Sequence, residues 1–372
     1  MAVRKPPCVR LILAGDVMTG RGIDQILPCA GDPQIYESYL RSAEGYVALA
    51  EALNGRIPAP VPFTYVWGGA LSAMATRQPD CRLVNLETAV TRCDDAWPGK
   101  GINYRMHPGN IPVLTSAGID ICSLANNHVL DWGYDGLAET LHSLQRAGVK
   151  TVGAGRDRDA AASPAIMHIG NNRLLVFAVG HHSSGIPAEW AATTGKAGVN
   201  FIDDLSAKTA QALTRQWECY RQPGDLVIVS IHWGGNWGYA IERSKREFAH
   251  HLIDGGADLI FCHSSHHPMG IEVYRERAIF YGCGDLINDY EGIGGHENYR
   301  SHLRLLYCVD LKRESGALGG LELIPWETCR FRLRAPAAAD RDWLLGTLGR
   351  ECHLLGATLA LSDGGESFLL RW

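Results

Sequence analysis

Short apolar, largely β-branched runs recur along the chain at residues 9–14, 82–86, 119–124, 173–179, 226–231, 258–261 and 278–281. Runs of this length and character predict strands covered on both faces. Between several of them lie amphipathic stretches of helical period, 136–147 (LAETLHSLQRA) closed by Gly148 and 244–254 closed by Gly255. This alternation predicts an α/β architecture. Two later strands, near 303–309 and 318–324, are joined by a short charged turn and followed by a helix over 340–355, which a mixed or antiparallel second sheet would absorb.

Two regions break the rhythm. Residues 27–80 hold an Ala-rich helical stretch (SAEGYVALAEAL) followed by PAPVPFTYVWGG and read as an insertion or cap. Residues 181–203, polar and Gly-containing, read as a candidate lid. The expected organisation is one domain over 1–330 carrying the 27–80 insertion, with 331–372 a helix-and-strand extension packed on it.

Composition narrows the classes. Hydrophobic residues make up 46% and charged residues 20% of the 372, so a sizeable core is expected. With 35 basic against 40 acidic residues and no block of like charge, nucleic acid and membrane-surface partners are not expected. The start, MAVRKPPCVR, leads into LILAG with neither leader nor anchor pattern, and the 11 cysteines form no CxxC pair. A cytoplasmic location with reduced thiols follows as the expectation.

Polar residues gather where the strands end, which is where open α/β sheets place their sites. AGDVMTGR gives Asp16 and Arg21. LVNLET gives Asn85 and Glu87, and LANNHVLD gives Asn126, Asn127, His128 and Asp131. VSIHWGG gives His232, and IFCHSSHH gives His263, His266 and His267. Singly, Asp16 is an ordinary helix cap and His232 an ordinary core histidine. Three imidazoles within five residues desolvate badly unless something binds them. Carboxylates, an amide and several imidazoles together suit Mn, Fe or Zn, and two divalent metals fit the donor count better than one. The loop Trp233, Trp237, Tyr239 beside His232 is a candidate substrate wall, with Trp233, Asn85 and His267 as the expected substrate-facing side chains. GAGRD at 153–157 lacks phosphate-loop spacing, and neither Cys262 nor Cys283 has a base beside it in the sequence.

The series GDVMTGR, LVNLET, SLANNHVLDWGYDGLAETL, VGAGRD, VSIHWG and GADLIFCHSSHHPMGIEVYRERAIFYGCGDL resembles the CapA-like family of poly-γ-glutamate capsule proteins, a branch of the calcineurin-like metallophosphatases. The resemblance runs over roughly residues 9–290. It implies a four-layer αββα sandwich of two mixed sheets with a two-metal centre at its edge. In that scheme Asp16 and His266 bind one metal, Asn127, His232 and His263 the other, and Glu87 bridges. His128 is implied as the general acid, with Arg21 and Arg105 holding an anionic substrate. The chain departs from the pattern at Met18, where the wider superfamily has histidine, and at YGCGD, where Asp285 adds a carboxylate. The implied function is a metal-dependent hydrolase that directs a metal-activated water at a phosphoester or at a glutamyl or peptide-like amide. The alternative is a non-catalytic accessory or binding protein for a glutamyl polymer, and no nucleotide motif supports an ATP-dependent ligase.

Overall fold

A computed structural model describes residues 8–372. The leader-and-anchor reading falls largely on residues 1–7, outside the described residues. The fold is mixed α/β, built on two large mixed sheets.

The first sheet has ten strands. Its parallel half runs Cys8–Val17, Cys81–Leu86, Ile121–Ser123, Lys150–Val152. On the other side of Cys8–Val17 the sheet continues antiparallel through Leu303–Lys312, Leu318–Cys329, Phe368–Arg371 and Thr358–Leu361. A short strand, Asp285–Ile287, runs parallel to the end of Cys8–Val17. The second sheet has seven strands, with Asn172–His181, Leu226–His232, Leu259–His263 and Arg277–Phe280 side by side and parallel. All seven early apolar runs thus become strands, while the two later ones pair antiparallel with each other but in the first sheet, beside Cys8–Val17, and not in a sheet of their own.

Alternation along the second sheet divides the core. Leu174, Val176, Ala178, Ile228 and Phe261 share one apolar cluster with the strands of the first sheet. Their neighbours Leu175, Phe177, Val179, Val229 and Ile231 pack instead against Leu213 and Trp217 of the helix Ala207–Glu218 and Phe248 and Leu252 of the helix Arg243–Asp254. Period-two side-chain direction is the cause, because one strand serves two cores only if both faces are covered. One polar thread crosses between the sheets, from Ser230 Oγ to Ser123 Oγ at 2.9 Å.

Residues 27–80 contain the helices Glu44–Asn54 and Ala70–Arg77. Trp67 is fully buried and donates its indole N–H to Val113 O at 2.7 Å. The segment 181–203 is held by backbone bonds at Gly180 N to Asn200 O, Asn200 N to Gly153 O and Ala192 N to Val199 O. Beyond residue 330, Leu344, Leu348 and Cys352 join the large core, and the final two strands extend the first sheet.

Candidate metal centre

The site forms where the central strands of both sheets end. Asp16 lies near the end of Cys8–Val17, in register with Asn85 on one side and Asp285 on the other. The register slips between Ala14 and Asp16, so Gly15 is the extra residue of a bulge that re-aims the aspartate. A side chain at Gly15 would put its Cβ 1.9 Å from Gly284 O, so only glycine fits. On the second sheet His232 and His263 are direct register partners, which places their rings together. The chain then turns through Ser264, whose φ of 101° is strained for any residue but glycine, and its backbone N–H reaches Asp16 Oδ2 at 3.3 Å.

Two groups of three buried donors result, Asp16 with His232 and His263, and Asp16 with His266 and Asp285, each with donor atoms within 4.8 Å of one another. Asp16 is common to both, and Glu87 belongs to neither. Glu87, the expected bridging carboxylate, lies beside these groups and Asp16 is the residue the two share. Glu87 shares the Asn85 amide with it, at 2.7 Å to Asp16 Oδ1 and 3.0 Å to Glu87 Oε2.

Proton accounting shows what the imidazoles offer. Ser230 gives its one hydroxyl proton to Ser123, so it accepts from His263 Nε2–H at 2.7 Å. His232 Nε2 faces Asn127 Oδ1 at 3.0 Å, and a carbonyl oxygen only accepts. Both rings thereby keep their lone pairs on Nδ1, and these two atoms stand 2.6 Å apart. Burial holds both rings neutral, pushing His263 down to about 3 and His232 well below its ordinary value, His263 adding to the latter. Two convergent lone pairs beside a carboxylate are a cation's donor set.

The oxygen side shows the same need. Burial, then the Asp285 charge, pushes Asp16 up to about 7, and burial with the Asp16 charge raises Glu87 well above the usual carboxylate range. His266 is raised: burial opposes its charge, but Asp285, 2.8 Å from Nδ1, outweighs it. The residues present thus fit a divalent metal.

Asn127 Oδ1 stands in the cluster, 3.0 Å from His232 Nε2. Other expected site residues are engaged within the chain. Arg21 is fully engaged, paired with Glu37 and Asp289 and lying over the rings of Tyr46 and Tyr104, so it has no fork left for a substrate. Arg105 is held by Asp94, Cys93 O and Asp32 O and stacks on Trp132. Trp233 packs against Phe248 in the outer core with its indole N–H on Tyr281 O. His267 uses both nitrogens, on Gly238 N and Pro268 O, to brace the neighbouring loop. Asn85 is fully buried between Asp16, Glu87 and Asn126. Two aromatic rings flank His266: Tyr290 at 5.3 Å, edge-on, and Trp237 at 5.6 Å, itself stacked on His296 at 4.0 Å.

His128 stands at the edge of the cluster, its Nε2 3.7 Å from Glu87 Oε1. Its Nδ1 lies 2.7 Å from Asp131 Oδ2 and 3.0 Å from Lys100 Nζ, and Lys100 also pairs with Asp131. Burial outweighs Asp131 and lowers His128 to about 4. Lys100, in a loop without pattern, escapes sequence reasoning. Asp285 was visible as a carboxylate at a strand end, but nothing in the sequence joined it to His266.

The family model for the bacterial capsule synthesis protein PGA_cap matches residues 10–290. A probable polyglutamine synthesis accessory protein of Mycobacterium tuberculosis is 47% identical over 353 residues, covering 94% of this chain and 93% of the relative. The capsule biosynthesis protein CapA of Bacillus anthracis is 22% identical over 279 residues, 75% of this chain and 59% of that protein. The PGA biosynthesis protein CapA of Bacillus subtilis is 28% identical over 197 residues, 51% of this chain and 48% of that protein. No helix among the described residues is long and apolar enough to cross a membrane. On the family match and the near full-length relative together, the chain belongs to the CapA-like family of bacterial capsule synthesis proteins.

Proposed function

We propose that this protein is a metal-dependent hydrolase with a metallophosphatase-like sandwich fold, acting on a glutamyl or other peptide-like amide or on a phosphoester. The observation that carries the reading is the pair of Nδ1 lone pairs on His232 and His263 converging beside Asp16. Asp16, His232 and His263 would hold one divalent metal, and Asp16, His266 and Asp285 a second, with Mn, Fe or Zn suited to the mixed donors. Such metals supply a polarised substrate oxygen and a water acidic enough to be a nucleophile near neutral pH.

The chain's own residues do the rest. His128, neutral at rest, takes the attacking water's proton at Nε2 while Asp131 at Nδ1 stabilises the imidazolium, and it then returns that proton to the leaving group. Lys100 fixes Asp131 and brings positive charge toward a developing oxyanion. Trp237 walls the His266 side and excludes water there. The test is elemental analysis of protein purified without chelator, then turnover of a phosphomonoester, a phosphodiester and a γ-glutamyl peptide with added Mn. One or two metal equivalents, lost together with turnover in His232→Ala and His263→Ala, is the expected result, and metal-free protein after reconstitution would overturn it. A second reading, a non-catalytic accessory in glutamyl-polymer synthesis, is favoured by the accessory name of the 47% identical relative. It predicts polymer binding without metal or turnover.

A further inference from the structure

The largest cavity described, about 900 Å³, lies away from the metal ligands, between the helix Ala70–Arg77 and the hairpin of Leu318–Cys329 with Arg332–Arg334. Tyr65, Trp326 and five arginines line it. In a chain with a net charge of −5 this local excess is not a reflection of overall basicity. Three of the arginines are occupied: Arg77 by Glu322, Arg334 by Glu327, and Arg341 by Asp342 and Gly365 O. Arg330 and Arg332 are exposed and have no acidic partner among the described residues, and the one acid lining the cavity is Glu366.

The backbone holds these two guanidinium groups outward at a cost. Arg330 and Phe331 form the hairpin turn, both at φ 56°, a conformation suited to glycine or asparagine. The Glu291 carboxylate holds it, accepting from the backbone N–H of both residues. Phe331 and Leu333 point into the core while Arg330, Arg332 and Arg334 face out. Arg330 stands in the turn and Arg332 opens the strand Arg332–Arg334, so both lie at the rim of the cavity that Trp326 and Tyr65 also line.

We infer that this groove is a second binding site, taking an extended acidic peptide-like chain whose repeated carboxylates pair with Arg330 and Arg332. A cavity of about 900 Å³ is far larger than one small anion, whereas a chain with a carboxylate on each residue fills it and meets both arginines. Its methylenes lie on the Trp326 and Tyr65 side chains that line the cavity. Guanidinium forks match carboxylates two bonds at a time. The inference stands on the hairpin alone and not on the metal reading.

The test is fluorescence anisotropy of the full-length protein with labelled α-linked octaglutamate, against octaglutamine and with tripolyphosphate as competitor. Octaglutamate is expected to bind, more weakly as salt rises from about 50 to about 500 mM. Arg330→Ala with Arg332→Ala is expected to weaken it at least about tenfold, roughly one charge-assisted contact. Arg332→Glu, an exposed single change, serves if the double variant does not fold. Asp16→Asn is expected to leave binding unchanged, which separates this site from the metal centre. Equal binding of octaglutamine, tighter binding of tripolyphosphate, or wild-type affinity in a well-folded arginine variant would overturn the proposal.

Discussion

Two buried carboxylate sites in this molecule have opposite electrostatic characters. In the outer core, Glu272 is 4% exposed and receives Arg246 Nη2 at 2.6 Å and Tyr281 OH at 2.6 Å. Burial there is outweighed by those partners, and its pKa falls below the ordinary value. At the sheet junction Asp16 and Glu87 are equally buried, yet amides and a backbone N–H are their main partners, and their pKa values rise. One carboxylate carries its cation in the chain; the other pair has no Arg or Lys ion pair among the described residues, and on the proposed reading that is a metal ion's place. The contrast marks the junction as a binding site by energetics as well as by ligand type.

The comparison breaks most sharply at Asp16. Asp16→Asn removes the donor common to both groups, and metal content and metal-dependent turnover are expected to fall together, by at least about 10⁴-fold in rate. In chelator-treated protein the same change is expected to raise the melting temperature at pH 8, because it removes one of the mutually repelling buried charges. A stripped Asp16→Asn protein less stable than stripped wild type would show that the cluster is already compensated. Next in size is His128→Ala, expected to lower kcat and kcat/KM equally, by about 10²–10⁴-fold, with metal content unchanged. Loss of metal in that variant would make His128 a ligand rather than a proton carrier.

Smaller effects probe the supports. Gly15→Ala drives a methyl against Gly284 O, with about 1–3 kcal/mol of stability expected lost in urea unfolding and weaker metal binding as Asp16 is re-aimed. Asn288 donates to Asp285 Oδ2 at 2.6 Å, so Asn288→Ala is expected to weaken the metal held with His266 by about 10–100-fold. Competition titration with a chelator reads this, and an unchanged affinity would place Asp285 outside the metal set.

Much of the fold was legible because strands covered on both faces leave continuous apolar runs, and all seven early runs are strands. The donors Asp16, His232, His263 and His266 were legible only jointly, since each alone has an ordinary structural use and several gathered at strand ends do not. Direction was not legible in the same way. Trp233 follows His232 directly, and alternation turns it to the opposite face and into the outer core. His267, outside any strand, is taken up by Gly238 N and Pro268 O. The partners of the arginines were not legible for a different cause: Arg21 and Arg105 meet their carboxylates and aromatic rings only through tertiary packing, as Arg21 does with Glu37 and Asp289. That Asp16 belongs to both donor groups follows from a one-residue bulge at Gly15, which no periodicity reveals.

The smallest expected effect tests the self-sufficient carboxylate. A folded-state pKa below the unfolded one means that Glu272 contributes stability that is fully present above the usual glutamate value near 4.5 and is lost as pH falls through its lower folded value. Wild type and Glu272→Gln are therefore expected to differ most from neutral pH down to about 5 and to converge in stronger acid. The gap stays small because Arg246 is half-exposed and solvent screens its charge. Adding or removing metal leaves it unchanged, since Glu272 lies in the outer core with its own partners. Urea unfolding of both proteins across that pH range, with and without chelator, makes the measurement. A metal-dependent gap would mean that the two carboxylate sites are coupled through the strand Leu259–His263, and the contrast between them would then be one of degree.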